Sequence, residues 1–426
     1  MSRQRQTDSL EDQLREERRL AAAMRRRRRK RWMIPMLIIL LLLLSLFFIL
    51  YLFSDKSVEP DETVSSADAT ATIIAAGDVT LTPQMLTNLR STDGYDFTGC
   101  FRQLTRSVAA ADLAIVNVEG NFVGAPYDVT DACYPEALLP ALRECGFDVI
   151  QTANSYSIQN GLSGLVSTKQ AIEAVGLQAL GTFASREDRE QSGGVLIREV
   201  NGIRIAMIGL TKGTNGLRLP EGAEYCVNLL FEDYDTNYTK IDRAGILSLI
   251  DRAKDEQPDI ILCMVHWGSE YTRTISEAQT EIAQFMLENG VDAILGSHSH
   301  LVGPIEWGGE TTLIGTASQG LVAYSLGDLL SAADRESAHS GCLLSLTLTK
   351  KDGVTEISDV QYIPTYSADP SEDYGVTHYA VYDTLDAIAL YESSYYDRIS
   401  DALYAHLLET IEDLKEQTNC DYQIVK

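Results

Sequence analysis

The chain has 426 residues, 45% of them hydrophobic and 23% charged, which is enough apolar material for a packed core and enough length for a membrane anchor plus one large domain. Its formal charge of −26 is unevenly spread: residues 1–31 hold 12 of the 35 Lys+Arg and 5 of the 61 Asp+Glu, residues 32–53 hold none, and 23 basic and 56 acidic residues remain for the rest. So acidic a remainder excludes the clustered cations of a nucleic-acid interface, and it repels polyanions except where a metal or a local basic patch reverses the field.

The chain opens on a basic tail, residues 1–31, which ends in RRRRRKR. Residues 32–53 (WMIPMLIILLLLLSLFFILYLF) are 22 uncharged, almost wholly apolar positions, and as a helix they would span roughly 30 Å, the hydrocarbon thickness of a bilayer. A cleaved signal peptide has a shorter apolar region and a small-residue cleavage site, which the following SDKSVEPDE lacks. One retained transmembrane helix is therefore predicted. The preceding cations favour a cytoplasmic N-terminus and a main domain outside the cell. Residues 54–71 are polar and without apolar periodicity, a tether.

From residue 72 onward, apolar β-branched runs alternate with stretches of helical spacing. Strands are predicted at 72–76, 113–118, 148–152, 195–200, 203–210, 259–265, 292–296, 321–326 and 342–349. Helices are predicted at 136–144, 165–175, 241–256 and 276–289. Asn201-Gly202 between two strand-like runs signals a type I′ hairpin. The mixture predicts an α/β domain over 72–370 whose strands pair both in parallel and as hairpins. Residues 371–426 read as a helical extension, with Ile388, Ile399, Leu403, Leu407 and Leu414 at helical spacing. Seven cysteines cannot all pair. Cys263 and Cys342 read as core residues, a Cys133–Cys145 bridge is left open, and no CxxC supports a thiolate zinc site.

The polar groups that carry chemistry stand where strands end, the edge at which an α/β sheet presents side chains to a crevice. Asp78 follows the first strand in IIAAGDVTLTP. Asn117 and Glu119 close the second in AIVNVEGNF, on one face because strand side chains alternate. Asn154 lies just past the third, His266 ends the fourth in DIILCMVHWGSEY, and His298 and His300 end the fifth in DAILGSHSHLVGPIE. Singly, each is an ordinary turn or core residue. Together they place three of only six histidines beside acids and amides, a donor set without thiolates that suits divalent manganese, iron or zinc. His339, His378 and His406 have no accompanying motif, and residues 213–216 lack the lysine spacing of a phosphate loop. Glu270 and Tyr271 follow the His266 motif as crevice-lining or capping residues.

GDVTLTP, NVEGNF, TANSYSIQNG, VHWGSEY, GSHSHLVGPIE and YSLGDLL resemble, in order and spacing, the motif set of the capsule-synthesis (poly-γ-glutamate synthesis, CapA) family of calcineurin-like metallophosphoesterases, over about residues 72–366. The resemblance implies a four-layer α/β/β/α sandwich and a centre of two divalent ions. It implies Asp78, Asn117, Glu119, Asn154, His266, His298 and His300 as metal residues. The sequence also departs from the family pattern. Where that pattern reads Ala-Asn-Asn-His, this chain has Ala153, Asn154, Ser155 and Tyr156, which puts Tyr156 at the usual catalytic histidine position; Gly303 and Asp328 also replace the usual glutamine and asparagine. The resemblance implies an anionic surface polymer and other polymer-synthesis or export proteins as partners. Two readings follow: a metal-dependent hydrolase at the membrane surface, or a metal-stabilised polymer-binding module with a degenerate site.

Overall fold

Strand formation follows the β-branched runs. In the computed structural model, which describes residues 68–307, 320–332, 338–372, 375–393 and 399–418, β1 (Ala69–Val79), β2 (Leu113–Val118), β3 (Val149–Gln151) and β4 (Gln178–Leu180) lie parallel in that order. The hairpin β5 (Leu196–Val200) and β6 (Ile203–Thr211) starts a second sheet, continued in parallel by β7 (Ile260–His266) and β8 (Ala293–Ser297). Asn201 and Gly202 both have positive φ, 52° and 81°, as the predicted turn requires. Beyond β8 come the short β9 (Ile305–Trp307), β10 (Leu321–Ala323) and β11 (Asp328–Leu330). The long β12 (Ser340–Lys351) and β13 (Val354–Ala368) and the short β14 (Ala380–Asp383) complete the two large sheets. The first sheet has the order β14-β13-β12-β1-β2-β3-β4, with β11 parallel to the end of β1; the second runs β9-β10-β8-β7-β6-β5. Both sheets mix parallel and antiparallel pairs, as expected.

Alternation along the strands divides the apolar side chains into separate cores. Ile73 and Ala75 of β1 join Leu113, Ile205, Met207, Leu262, Met264 and Leu295 in a core shared by the two sheets, while Ile74 and Ala76 face the opposite side. There they meet α1 (Leu138–Cys145) and α2 (Gly161–Ala174) through Leu138, Leu142 and Ile172. The outer face of the second sheet is covered by α3 (Arg243–Asp255) and α4 (Glu277–Glu288) through Ile246, Leu249, Ile250, Ile282 and Met286. Helices on both outer faces and an apolar seam between the sheets give the layering that the resemblance implied. Each fully buried Leu or Ile in these cores contributes about 1.5–3 kcal/mol of transfer free energy.

The predicted helical extension begins differently. Ala380–Asp383 is a strand, paired antiparallel with β13. Only then come α5 (Thr384–Glu392) and α6 (Asp401–Thr418). Leu403 and Leu407 pack on Tyr366 and Tyr382, and Leu414 reaches the seam between the sheets. Four residues are too few to show strand alternation, so the tail's helical spacing masked them. Cys133 and Cys145 are buried and unpaired, their sulfurs 3.4 Å from Gly124 O and 3.7 Å from Phe101 O respectively. The basic tail, the predicted membrane helix at 32–53 and nearly all of the tether lie outside the described residues. Among the described residues no helix is long and apolar enough to cross a membrane.

Candidate metal centre

Asp78 owes its position to a close backbone approach. A Cβ on Gly77 would sit 1.9 Å from Gly327 O, and the Asp78 amide donates to that same oxygen at 3.0 Å. The register between β1 and β2 slips by one residue between Ala76 and Asp78, which sets Asp78 opposite Asn117. Such a bulge re-aims a side chain at the end of a strand. Asn117 Nδ2 then donates to Asp78 Oδ1 at 2.6 Å, and the His298 amide donates to Asp78 Oδ2 at 2.9 Å. Burial pushes the Asp78 carboxyl up to about 6; the Asp328 charge adds to this, while His300 and the two hydrogen bonds oppose it.

The amides stand behind the carboxylates. Asn154 Nδ2 donates to Asn117 Oδ1 at 3.1 Å and to Val118 O at 2.7 Å, and its Oδ1 accepts from the Tyr156 amide at 3.0 Å. Glu119, one residue past β2, is 2% exposed with Oε1 unpaired, 3.7 Å from His266 Nε2. Burial first, then the charges of Asp78 and Asp328, holds its carboxyl well above the usual range. His266 is fixed through both ring nitrogens, Nδ1 at 3.0 Å from Ser297 Oγ and Nε2 at 3.1 Å from Ser155 Oγ. Burial, with the neighbouring imidazoles and Lys212, keeps it well below the ordinary histidine range.

The Ser297–His300 turn supplies two further rings. His298 and His300 have φ of 96° and 58°, a conformation costly for non-glycine residues and found mostly at functional sites. His298 is 2% exposed and neither ring nitrogen has a partner; burial and the Lys212 charge push it down to about 2. Its ring centre lies 4.5 Å from that of His266 and 6.3 Å from that of His300. His300 Nδ1 lies 2.8 Å from Asp328 Oδ1 and 3.9 Å from Asp78 Oδ2. Burial disfavours its charge, but Asp328, Glu119 and Asp78 together outweigh burial and push it up to about 11.

Asp328 is the residue that motif reading set aside. It opens β11, pairs in parallel register with Asp78, and leaves Oδ2 buried without a partner. The acid and imidazole donors thus form two groups, Glu119–His266–His298 and Asp78–His300–Asp328, each with its ligand atoms within 4.8 Å of one another. Unpaired buried donors are rare in folded proteins and costly. Within these two groups they are Glu119 Oε1, His298 Nδ1 and Nε2, and Asp328 Oδ2, atoms of the types that ligate metals, while others among the described residues, such as Tyr324 Oη and Asn228 Oδ1, lie outside the groups. The residues present therefore fit divalent cations.

Glu119 and His300 line one side of a crevice of about 220 Å³ that is also bounded by Thr80, Tyr134, Tyr156 and Tyr271. Tyr156 is half-buried there, and burial, with the Glu119 and Glu270 charges, pushes its phenol up to about 12. A larger hollow of about 410 Å³, beside α5, is lined by Arg102, Arg106, Asp383 and Asp386 and holds none of the clustered donors. Size does not locate the chemistry. His339 and His406 lie apart from the centre, each ring about 6 Å from that of Tyr366.

A family model described as the bacterial capsule synthesis protein PGA_cap matches residues 72–333, a span that contains every one of these donors. The chain belongs to this family. Among its relatives, the capsule biosynthesis protein CapA of Bacillus anthracis is 25% identical over 228 residues, 53% of this chain and 49% of that one. The PGA biosynthesis protein CapA of Bacillus subtilis (strain 168) is 25% identical over 234 residues, 54% of each chain. The chain thus spans about half the length of the curated relatives it matches. Among solved structures, the calcineurin-like phosphoesterase YfkN from Bacillus subtilis is similar at 16% identity, covering 70% of this chain and 90% of that one with a TM-score of 0.40. The architecture of this PGA_cap member is read from its own two sheets.

Proposed function

We propose that this PGA_cap member acts at the outer face of the bacterial cell membrane in the synthesis or export of capsule, poly-γ-glutamate or a related anionic surface polymer, through a metal-dependent hydrolase-type centre. The single observation that carries this reading is the pair of buried donor groups with four ligand atoms left unpaired. Two divalent cations, manganese, iron or zinc, suit imidazole and carboxylate donors. Glu119, His266 and His298 would hold one, and Asp78, His300 and Asp328 the other. Asn117 and Asn154 support them through the hydrogen bonds that fix Asp78, with a direct amide ligand as a further role. Bound ions would supply Lewis-acid charge to a scissile phosphoryl or acyl group. Around that charge the chain's own groups have separate tasks. Tyr156, protonated throughout the neutral range, donates a hydrogen bond or proton toward a leaving group. Tyr134 and Tyr271 narrow the crevice around a substrate.

The location is proposed from the apolar span at 32–53 with its cytoplasmic-side cations, and the polymer connection is supported by the family and by the names of the two relatives. A second reading is favoured by Tyr156 in place of a histidine: a metal-stabilised module that binds polymer or scaffolds other synthesis and export proteins without turnover. Metal analysis of protein purified without chelators, followed by assays with manganese on phosphomonoesters, phosphodiesters and poly-γ-glutamate, decides between them. Metal with turnover supports the hydrolase; metal without turnover supports the module; absence of bound metal defeats both.

A further inference from the structure

Within this acidic domain a lysine stands beside the strand end that carries His266. Lys212 is the first residue beyond β6, and its amide donates to His266 O at 2.8 Å, so the ends of β6 and β7 leave the sheet side by side. Its ammonium donates to Gly268 O at 2.8 Å and sits 5.1 Å from the centre of the Tyr238 ring. That ring is held in place. Tyr238 has a positive φ of 54° in a turn gathered by Asp233, whose carboxylate accepts from the Thr239 and Lys240 amides at 3.0 and 2.9 Å. The chain turns tightly here, since a Cβ on Gly213 would lie 2.6 Å from Tyr238 Cε1 and 2.2 Å from Tyr234 O.

The ammonium is thus half-buried, oriented by a carbonyl and an aromatic face, and makes no ion pair among the described residues. Glu119 and Glu270 act on it only at longer range, and its own field reaches His266 and His298. A desolvated cation that meets no carboxylate in direct contact has unused donor capacity. Through its bonds to His266 O and Gly268 O it stands on the His266 side of the centre, beyond the residues that line the crevice.

Resting on the metal-centre reading, we propose that Lys212 is an anion-binding residue of the site, holding a phosphoryl or carboxylate oxygen of the substrate next to the ions. The alternative role, a clamp that ties the end of β6 to Gly268, uses the same hydrogen bond but not the charge. Substitutions separate the two. Lys212→Gln keeps a donor for Gly268 O and loses the charge, Lys212→Met loses both, and Lys212→Arg keeps both.

The experiment is calorimetric titration of the full chain, loaded with manganese, using inorganic phosphate and, separately, glutarate. Phosphate held by wild type and lost in the variants points to a phosphoryl group, and glutarate behaving so points to a carboxylate. For the probe that binds, Lys212→Gln and Lys212→Met weaken affinity roughly tenfold or more, the range of a hydrogen bond to a charged group, while Lys212→Arg stays within about threefold. Manganese content is expected to be unchanged in all three. The assignment is overturned if Lys212→Gln binds both probes as wild type does, which makes Lys212 a clamp. It is also overturned if wild type binds neither probe, or if Lys212→Gln and Lys212→Met both lose manganese. In the first two cases the metal centre stands. Wild-type protein that takes up none of manganese, iron and zinc ends the metal reading itself, and this inference with it.

Discussion

His298 gives the sharpest test of whether the buried donors exist for cations. Both of its ring nitrogens are buried and unpaired, so in ion-free protein at least one donor and one acceptor pay a desolvation cost of about 1–3 kcal/mol each. His298→Leu removes both groups at similar volume, although leucine tolerates the positive φ less well than histidine, which offsets part of that gain. The ion-free variant should therefore be at least as stable as ion-free wild type, against the usual cost of a core substitution. With manganese the order reverses. An ion held at 100 times its dissociation constant stabilises the folded state by about 2.7 kcal/mol. Losing that at the Glu119–His266–His298 group lowers the melting temperature by about 2–4 °C per kcal/mol relative to loaded wild type. The Asp78–His300–Asp328 group is untouched, so bound manganese falls from about two ions to about one rather than to none. Differential scanning calorimetry in chelator and in manganese, with elemental analysis, reads all three effects. An ion-free variant several kilocalories less stable than wild type, or one with the full manganese response, would refute the argument.

Proton linkage gives a second outcome. In ion-free protein at neutral pH, His300, pushed up to about 11, is charged, and burial disfavours the charged form of its neighbour Glu119. Cation uptake therefore releases protons and tightens as pH rises, which calorimetry in buffers of differing ionisation enthalpy measures as a net release. For the ion-free fold, the raised His300 value adds stability that is complete below the unfolded value of about 6.5 and is lost as pH climbs through about 11. Tyr156→Phe retains both ions and, under the hydrolase reading, lowers kcat by about 100-fold or more; an unchanged kcat removes Tyr156 from proton transfer. Gly77→Ala would set a methyl group 1.9 Å from Gly327 O. It is expected to destabilise by about 3 kcal/mol or more, seen as a lower urea midpoint, because backbone on both sides must move.

Much of the centre was legible in the sequence for a physical reason. Parallel strands buried on both faces read as continuous apolar runs, so Asp78, Asn117, Glu119, His266, His298 and His300 stood out as the polar residues at their ends. Asp328 was named but set aside, because its partner Asp78 lies 250 residues earlier and only the parallel pairing of β11 with β1 brings them into register. No local pattern encodes that pairing. Lys212 also ends a strand, yet a lysine after an apolar run resembles any solvated turn until the Tyr238 ring and Gly268 O are found around it. β13 and β14 escaped for different reasons: Asp352-Gly353 carries a hairpin signal, with φ of 52° and 81°, that was left unused, whereas β14 is too short to show a period.

The charge of the domain and the charge of the centre belong to one argument. Three carboxylates, Asp78, Glu119 and Asp328, are buried in the two donor groups, in a region whose remainder is itself strongly acidic. Without cations, an anionic polymer segment approaching the crevice meets Glu270 and a domain of strong net negative charge, which among the crevice's lining residues only His300 opposes. Two divalent ions would add four positive charges behind the same opening, less the protons that their uptake releases, and would turn the local potential toward positive, with Lys212 adding to it on the His266 side. On this argument the ions decide whether a polyanion can approach at all before they decide any chemistry. Polymer binding should then require metal even in a variant that has lost turnover, such as Tyr156→Phe. If poly-γ-glutamate bound equally well to chelator-treated and manganese-loaded protein, recognition would lie on another surface and the centre would serve chemistry or stability alone.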